Sequence, residues 1–162
     1  MAKAVALISA FCIIAFAAVT AHAHSKEVFN VEGDVYCDPC RVQFQTKLSH
    51  RLPGAKVRLV CTDAVTKAVT YTVEGVANAD GHYSLSVTGD HEKDICEVTA
   101  VASPRNDCTD IMSDVKSARV VCTRNSGIHT PVRFANPLGF MTKNIIPQCY
   151  EVIKDLELFV DA

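Results

Sequence analysis

The most reactive spacing in this chain is Cys37-Asp38-Pro39-Cys40, two thiols separated by two residues. Such a pair is a redox dithiol when it opens a helix in a βαβ unit, where the helix N-terminus lowers the thiol pKa. No βαβ pattern is readable here. The same pair is half of a structural zinc site, which needs four ligands and usually a second hook. No second Cys-x-x-Cys and no His-x₃₋₅-His follows, and His50, His82, His91 and His129 stand singly. The remaining reading is structural: two cysteines that form disulfides with distant partners.

Other chemistries are weaker. Cleavage of a leader after Ala23 would make His24 the mature N-terminus. A terminal amine and its own imidazole can chelate copper, with a second histidine completing an oxidative site suited to polysaccharides. Chain termini usually fray, and the sequence has no Trp for a sugar platform. There is no Gly-x-Ser-x-Gly nucleophile elbow. Asp90 and Glu92 lie in a polar loop, Thr88 to Asp94, and read as solvated charge. The sequence therefore assigns no catalytic residue, no metal ligand and no cofactor.

The N-terminus reads as a targeting segment. Lys3 precedes an apolar run from Val5 to Val19, short of the ~20 residues a spanning helix needs. Ala21-His22-Ala23 has the small-x-small form of a cleavage site, so residues 1–23 are read as a signal peptide. The mature chain, 24–162, then keeps 15 of the 16 basic residues and all 18 acidic ones, net −3. No hydrophobic tail suggests a lipid anchor, and no membrane association is expected once the leader is gone. No basic cluster is apparent, which argues against nucleic acid as a partner. Secretion makes disulfides the expected state of the seven mature cysteines, Cys37, Cys40, Cys61, Cys96, Cys108, Cys122 and Cys149. An odd number leaves one thiol free or joined to another chain.

The elements that hold these cysteines read as short strands. Phe29, Val31, Val35 and Cys37 alternate with polar neighbours. Gly33 among them suggests a bulge or a close backbone approach. Leu52-Pro53-Gly54 and Asn78-Ala79-Asp80-Gly81 are turns. Val57/Leu59/Cys61, Val69/Tyr71/Val73, Tyr83/Leu85/Val87, Cys96/Val98/Ala100 and Ala118/Val120/Cys122 repeat the alternation. This pattern predicts an all-β, antiparallel sandwich or closed barrel. Two stretches switch to helical spacing: Asp107 to Lys116, and Cys149 onward after Pro147, where Leu156 to Val160 reads equally as a last strand. Arg124 to Pro137, rich in Gly, Pro, Asn and Ser, reads as an ordered surface loop. One domain of 139 residues, 24–162, is long enough for a real core.

Gly33, Val35, Tyr36, Cys37, Asp38, Cys40 and Arg41 follow a Gly-x-Val-Tyr-Cys-Asp-x-Cys-Arg pattern. With Gly54 to Cys61, Asp94 to Val98, Ala102 to Arg105 and Ala135 to Gly139, this resembles the Ole e 1-like family of secreted plant pollen proteins and allergens. The resemblance implies a seven-stranded β-barrel or sandwich. It also implies the pairing Cys37–Cys108, Cys40–Cys149 and Cys61–Cys96, which spacing alone does not choose among 15 possibilities. Cys122 has no counterpart in that six-cysteine pattern. The standard glycosylation acceptor is missing, and Asn106-Asp107-Cys108 offers only the rare cysteine variant. No catalytic residues are established for the family.

Together these readings predict a secreted, non-enzymatic, disulfide-stabilised monomer of the apoplast. Its expected partner is a cell-wall polysaccharide or glycoprotein, with a pollen or tube-growth role implied by resemblance alone. A wall-acting enzyme, oxidative at His24 or hydrolytic, is the alternative, followed by a purely structural wall component. Cys122 is expected to be a buried free thiol, because it shares a face with Val120 and Ala118.

Overall fold

One long strand belongs to two different neighbourhoods. In the computed structural model, which describes residues 27–113 and 115–156, strand β1 runs Val28–Asp38. The leader, His24 and the strand alternative beyond Leu156 lie outside the described residues. The first part of β1 pairs antiparallel with β5 (His82–Thr88) and parallel with β9 (Val132–Phe134). Its last four residues pair parallel with β10 (Leu138–Met141) and antiparallel with β2 (His50–Arg51). β10 in turn pairs with β7 (Asp110–Ile111). A second sheet is fully antiparallel, in the order β4-β3-β6-β8, from Val69–Val76, Lys56–Asp63, Asp94–Ala102 and Ser117–Val120. Among the described residues a single helix, α1, covers Cys149–Asp155.

The alternation predicts the strands because it reports which face is buried. Val31, Val35, Val57, Leu59, Val87 and Val98 are fully buried in one cluster drawn from both sheets. Each such side chain contributes roughly 1.5–3 kcal/mol. The second part of β1 differs, since Tyr36 and Asp38 on its other face are buried too.

The structure departs from the sequence reading in four places. It forms two sheets from ten strands, with no closed barrel among the described residues, where the resemblance implies a seven-stranded barrel or sandwich. Two of β1's pairings are parallel, a property that burial periodicity does not encode. The helix expected over Asp107 to Lys116 is absent from its described residues. Cys108 is tied to Cys37, Asp110 and Ile111 pair with Met141 and Phe140, and Met112 turns into a small cluster with Tyr36 and Met141. Asp107 pairs with Arg105. Within the predicted loop Arg124 to Pro137, β9 adds a short strand.

Gly33 shows no register shift, so the close-approach reading holds and the bulge does not. Gly33 faces Tyr83 across the ladder, and a Cβ there would lie 2.5 Å from the Tyr83 hydroxyl. That phenol is buried without a hydrogen-bond partner among the described residues. Gly33→Ala is expected to cost about 1–3 kcal/mol through overpacking, measured by urea unfolding. The Asn78 turn is a side-chain-capped loop: Asn78 Oδ1 accepts from the Asp80 and His82 N–H groups, and Gly81 supplies φ +73°.

Candidate functional site: a basic pocket at the end of the sheet

The cysteine-rich signature is a structural knot. Asp38, fully buried at the end of β1, accepts hydrogen bonds from the backbone N–H groups of Cys40 (2.8 Å), Arg41 (3.0 Å) and Gln43 (2.8 Å). This clamp holds a loop in which Arg41 and Gln43 take φ +57° and +63°. Arg41 donates from Nη1 to Asp110 at 2.8 Å and also to the Thr142 carbonyl. The Tyr36 hydroxyl meets the Met112 sulfur at 3.6 Å. Burial, assisted by the Asp38 charge, pushes that phenol up to about 12. Every signature side chain is thus engaged in packing or in fixing the loop. Cys37 and Cys40 bond to Cys108 and Cys149, not to each other, so the stretch holds no dithiol.

The scattered histidines are positioned differently from each other. His82 lies beside Asp34 (3.1 Å) and Glu32 (3.7 Å) on the outer face of β1 and β5. Burial tends to raise the Asp34 carboxyl, but hydrogen bonds from Arg51 and His82 prevail and hold it below its ordinary value. His91 comes within 4.8 Å of Cys61 and Cys96. Those sulfurs are joined in a disulfide and offer no thiolate to a metal. The His91 Nδ1 contacts Asp94 at 2.8 Å, and Thr70 donates to the same carboxylate oxygen at 2.6 Å. This is a polar clasp at the mouth of β6, in which the Asp94 carboxylate joins His91 to the Thr70 hydroxyl. Asp94 is therefore not simply loop charge, whereas Glu92 is exposed and accepts from Asn125.

The most site-like feature is a pocket that the sequence reading passed over as loop. Arg133 stands in β9 opposite Val31, in the row that points to the core, and is 3% exposed. Its guanidinium sits 4.7 Å above the centre of the Phe29 ring, in cation–π contact. It donates to the carbonyls of Val121 (2.8 Å), Thr123 (3.0 Å), Val132 (3.1 Å) and Thr130. These bonds tie the chain leaving β8 to β9. Among the described residues, no carboxylate pairs with Arg133. Next to it opens a cavity of about 390 Å³ lined by Phe29, Arg124, Ile128, His129, Thr130, Pro131 and Arg133. No acidic side chain is in that lining. Arg124 is partly neutralised by Glu27, at 2.8 Å. Chemically the pocket offers two arginines, the His129 imidazole, the Thr130 hydroxyl and apolar flanks, and no carboxylate in its lining. The absence of any Asp or Glu between Arg124 and Pro137 was the sequence signal that could have found it.

Residues 27–157 match the family model for "Pollen protein Ole e 1 like". The chain belongs to the Ole e 1-like pollen protein family. It is 55% identical over 160 residues to the anther-specific protein LAT52 of Solanum lycopersicum, covering 98% of each chain. It is 41% identical over 156 residues to the pollen allergen Che a 1 of Chenopodium album, covering 94% of this chain and 92% of that one. The crystal structure of the major plantain pollen allergen Pla l 1 superposes with a TM-score of 0.68 at 37% identity, over 75% of this chain and 99% of that one.

In this Ole e 1-like chain the disulfides are Cys37–Cys108, Cys40–Cys149 and Cys61–Cys96. They are the three pairs implied by the resemblance. Cys108 is consumed in one of them, so Asn106-Asp107-Cys108 keeps no free thiol. Cys122, the departure from the six-cysteine pattern, is a free thiol, 1% exposed, beyond buried Val120 and Ala118. Burial pushes it up to about 11, against a smaller opposing pull from Arg133. A thiol in that range is an inert small hydrophobe at neutral pH. Cys122→Val is expected to keep the fold at a cost of at most about 1.5 kcal/mol. Both forms should run as monomers on non-reducing electrophoresis. A dimer abolished both by reductant and by the substitution would show an exposed thiol instead.

Proposed function

We propose that this protein acts by binding, not catalysis, in the plant cell wall, and that its ligand is a wall polysaccharide or glycoprotein. The observation that carries this reading is the Arg133 pocket, a cavity walled by Arg124, Arg133, His129 and apolar side chains with no carboxylate in its lining. Three disulfides fit an oxidising compartment outside the cytosol, as does the leader-like N-terminus. The names of the relatives, anther-specific and pollen proteins, support a role in pollen. The oxidative alternative needs His24 as a copper ligand. Copper titration of the processed protein is expected to show no tight binding. The test of the main reading is an array of wall polysaccharides and glycoproteins probed with the purified oxidised protein, alongside a turnover screen on the same substrates. Saturable retention without turnover is expected. Turnover of a wall substrate, or no retention at all, would overturn the reading.

A further inference from the structure

We propose that the Arg133 pocket recognises a carboxylate-bearing sugar, a uronate unit of an acidic wall polysaccharide. The inference rests on the binding reading above and names its ligand class. Its starting point is an imbalance at Arg133. A guanidinium has five N–H donors, and four carbonyl bonds are formed among the described residues. Carbonyls satisfy donors but do not neutralise the charge. A buried cation without a counter-ion is costly, and a carboxylate in the adjoining cavity supplies both the missing charge and a further acceptor.

The surroundings agree. From Val115 to Tyr150 the sequence holds five basic residues, Lys116, Arg119, Arg124, Arg133 and Lys143, and no acidic one. The whole chain is nevertheless net −2, so this stretch departs from the overall balance; of its cations Arg124 and Arg133 line the pocket, while Arg119 pairs with Glu97. Phe29, Ile128 and Pro131 give the C–H face of a pyranose an apolar wall, which a bare inorganic anion does not need. About 390 Å³ is at the small end of ligand pockets, roughly 300–1,000 Å³, and suits a short saccharide. Glu27 is a nearby opposing charge, and it draws on Arg124.

The test is calorimetric and NMR titration of the oxidised protein with tri-galacturonate, its methyl ester and an acidic peptide, at low salt. Expected are shifts centred on Phe29, Ile128, His129 and Thr130, and binding at least about tenfold weaker for the ester, in which the charge is gone. Arg133 also ties the chain leaving β8 to β9, so the diagnostic variants are Arg124→Gln, weaker by about fivefold, and Glu27→Gln, tighter by about threefold, both effects fading with salt. The opposite signs separate charge recognition from general disruption. Equal binding of the ester at the pocket would overturn the uronate inference while leaving the binding reading intact. Binding of the peptide in preference to the saccharide would overturn it in favour of a protein partner. No binding of any wall component here or on the array would end both.

Discussion

Full reduction of the three disulfides is expected to unfold this domain at 25 °C. The bridges close 71, 109 and 35 residues of sequence separation. In the chain-entropy treatment each then stabilises by about 4 kcal/mol, and removing one native bridge from a small secreted domain typically costs about 2–5 kcal/mol. A domain of this kind has only about 5–15 kcal/mol in total. Losing all three bridges consumes most or all of that. The bridges are not equivalent. Cys61 and Cys96 face each other in the β3–β6 register, so the ladder still holds those strands when the bridge is removed. Cys40–Cys149 holds helix α1 against the end of β1, where no strand ladder reaches the helix; Ile146 donates to the Pro39 carbonyl at 3.4 Å, and Lys47 pairs with Asp155 on the surface. The Cys40→Ala/Cys149→Ala double variant should therefore lose more than Cys61→Ala/Cys96→Ala. Urea unfolding followed by circular dichroism, with and without a phosphine reductant, measures both effects. A reduced domain that keeps a cooperative transition and loses under about 2 kcal/mol would show that the core alone suffices.

How much of this was legible in the residues depends on what each signal measures. Alternation located the longer strands because inward positions such as Val57, Leu59, Val98 and Val87 are fully buried. It could not give strand direction, and so missed the parallel partners of β1. At Asp107 to Lys116 helical spacing was a coincidence. Met112 is buried by Tyr36 and Met141, while Ile111 is half exposed. The disulfide at Cys108 and the pairing of β7 with β10 override the local preference. The pocket was hidden for a different reason. Arg133 is a charged residue in a core-facing position, and a composition-based reading places arginine outside. Only the fold shows that four carbonyls and the Phe29 ring make that position tenable. Cys122 was readable because its two neighbours on the same face are apolar and small.

Asp38→Ala is expected to cost about 3 kcal/mol without touching a disulfide or an apolar contact. The carboxylate is fully buried, and its two oxygens accept three backbone N–H groups: Cys40 and Arg41 on Oδ1, Gln43 on Oδ2. Alanine leaves those donors without their acceptor, and each buried unsatisfied donor costs about 1–3 kcal/mol. Arg41 and Gln43 are partly exposed, so water offsets part of the loss there, while Cys40 is 1% exposed and gains no such relief. The loop also has no glycine to ease its two left-handed residues, Arg41 and Gln43, whose backbone conformations are tolerated because the clamp holds them. Asp38→Asn keeps one oxygen but turns an N–H₂ group toward other donors, so it should fall between wild type and alanine. The effect should extend to oxidative folding. The clamp presents Cys40 toward Cys149, and without it non-native pairs should accumulate when the reduced chain is reoxidised. Urea unfolding of the oxidised variants gives the stability, and non-reducing peptide mapping after reoxidation gives the pairing. If Asp38→Ala loses under about 1 kcal/mol and still recovers Cys40–Cys149 quantitatively, the disulfides fix the loop by themselves and the aspartate is dispensable to it.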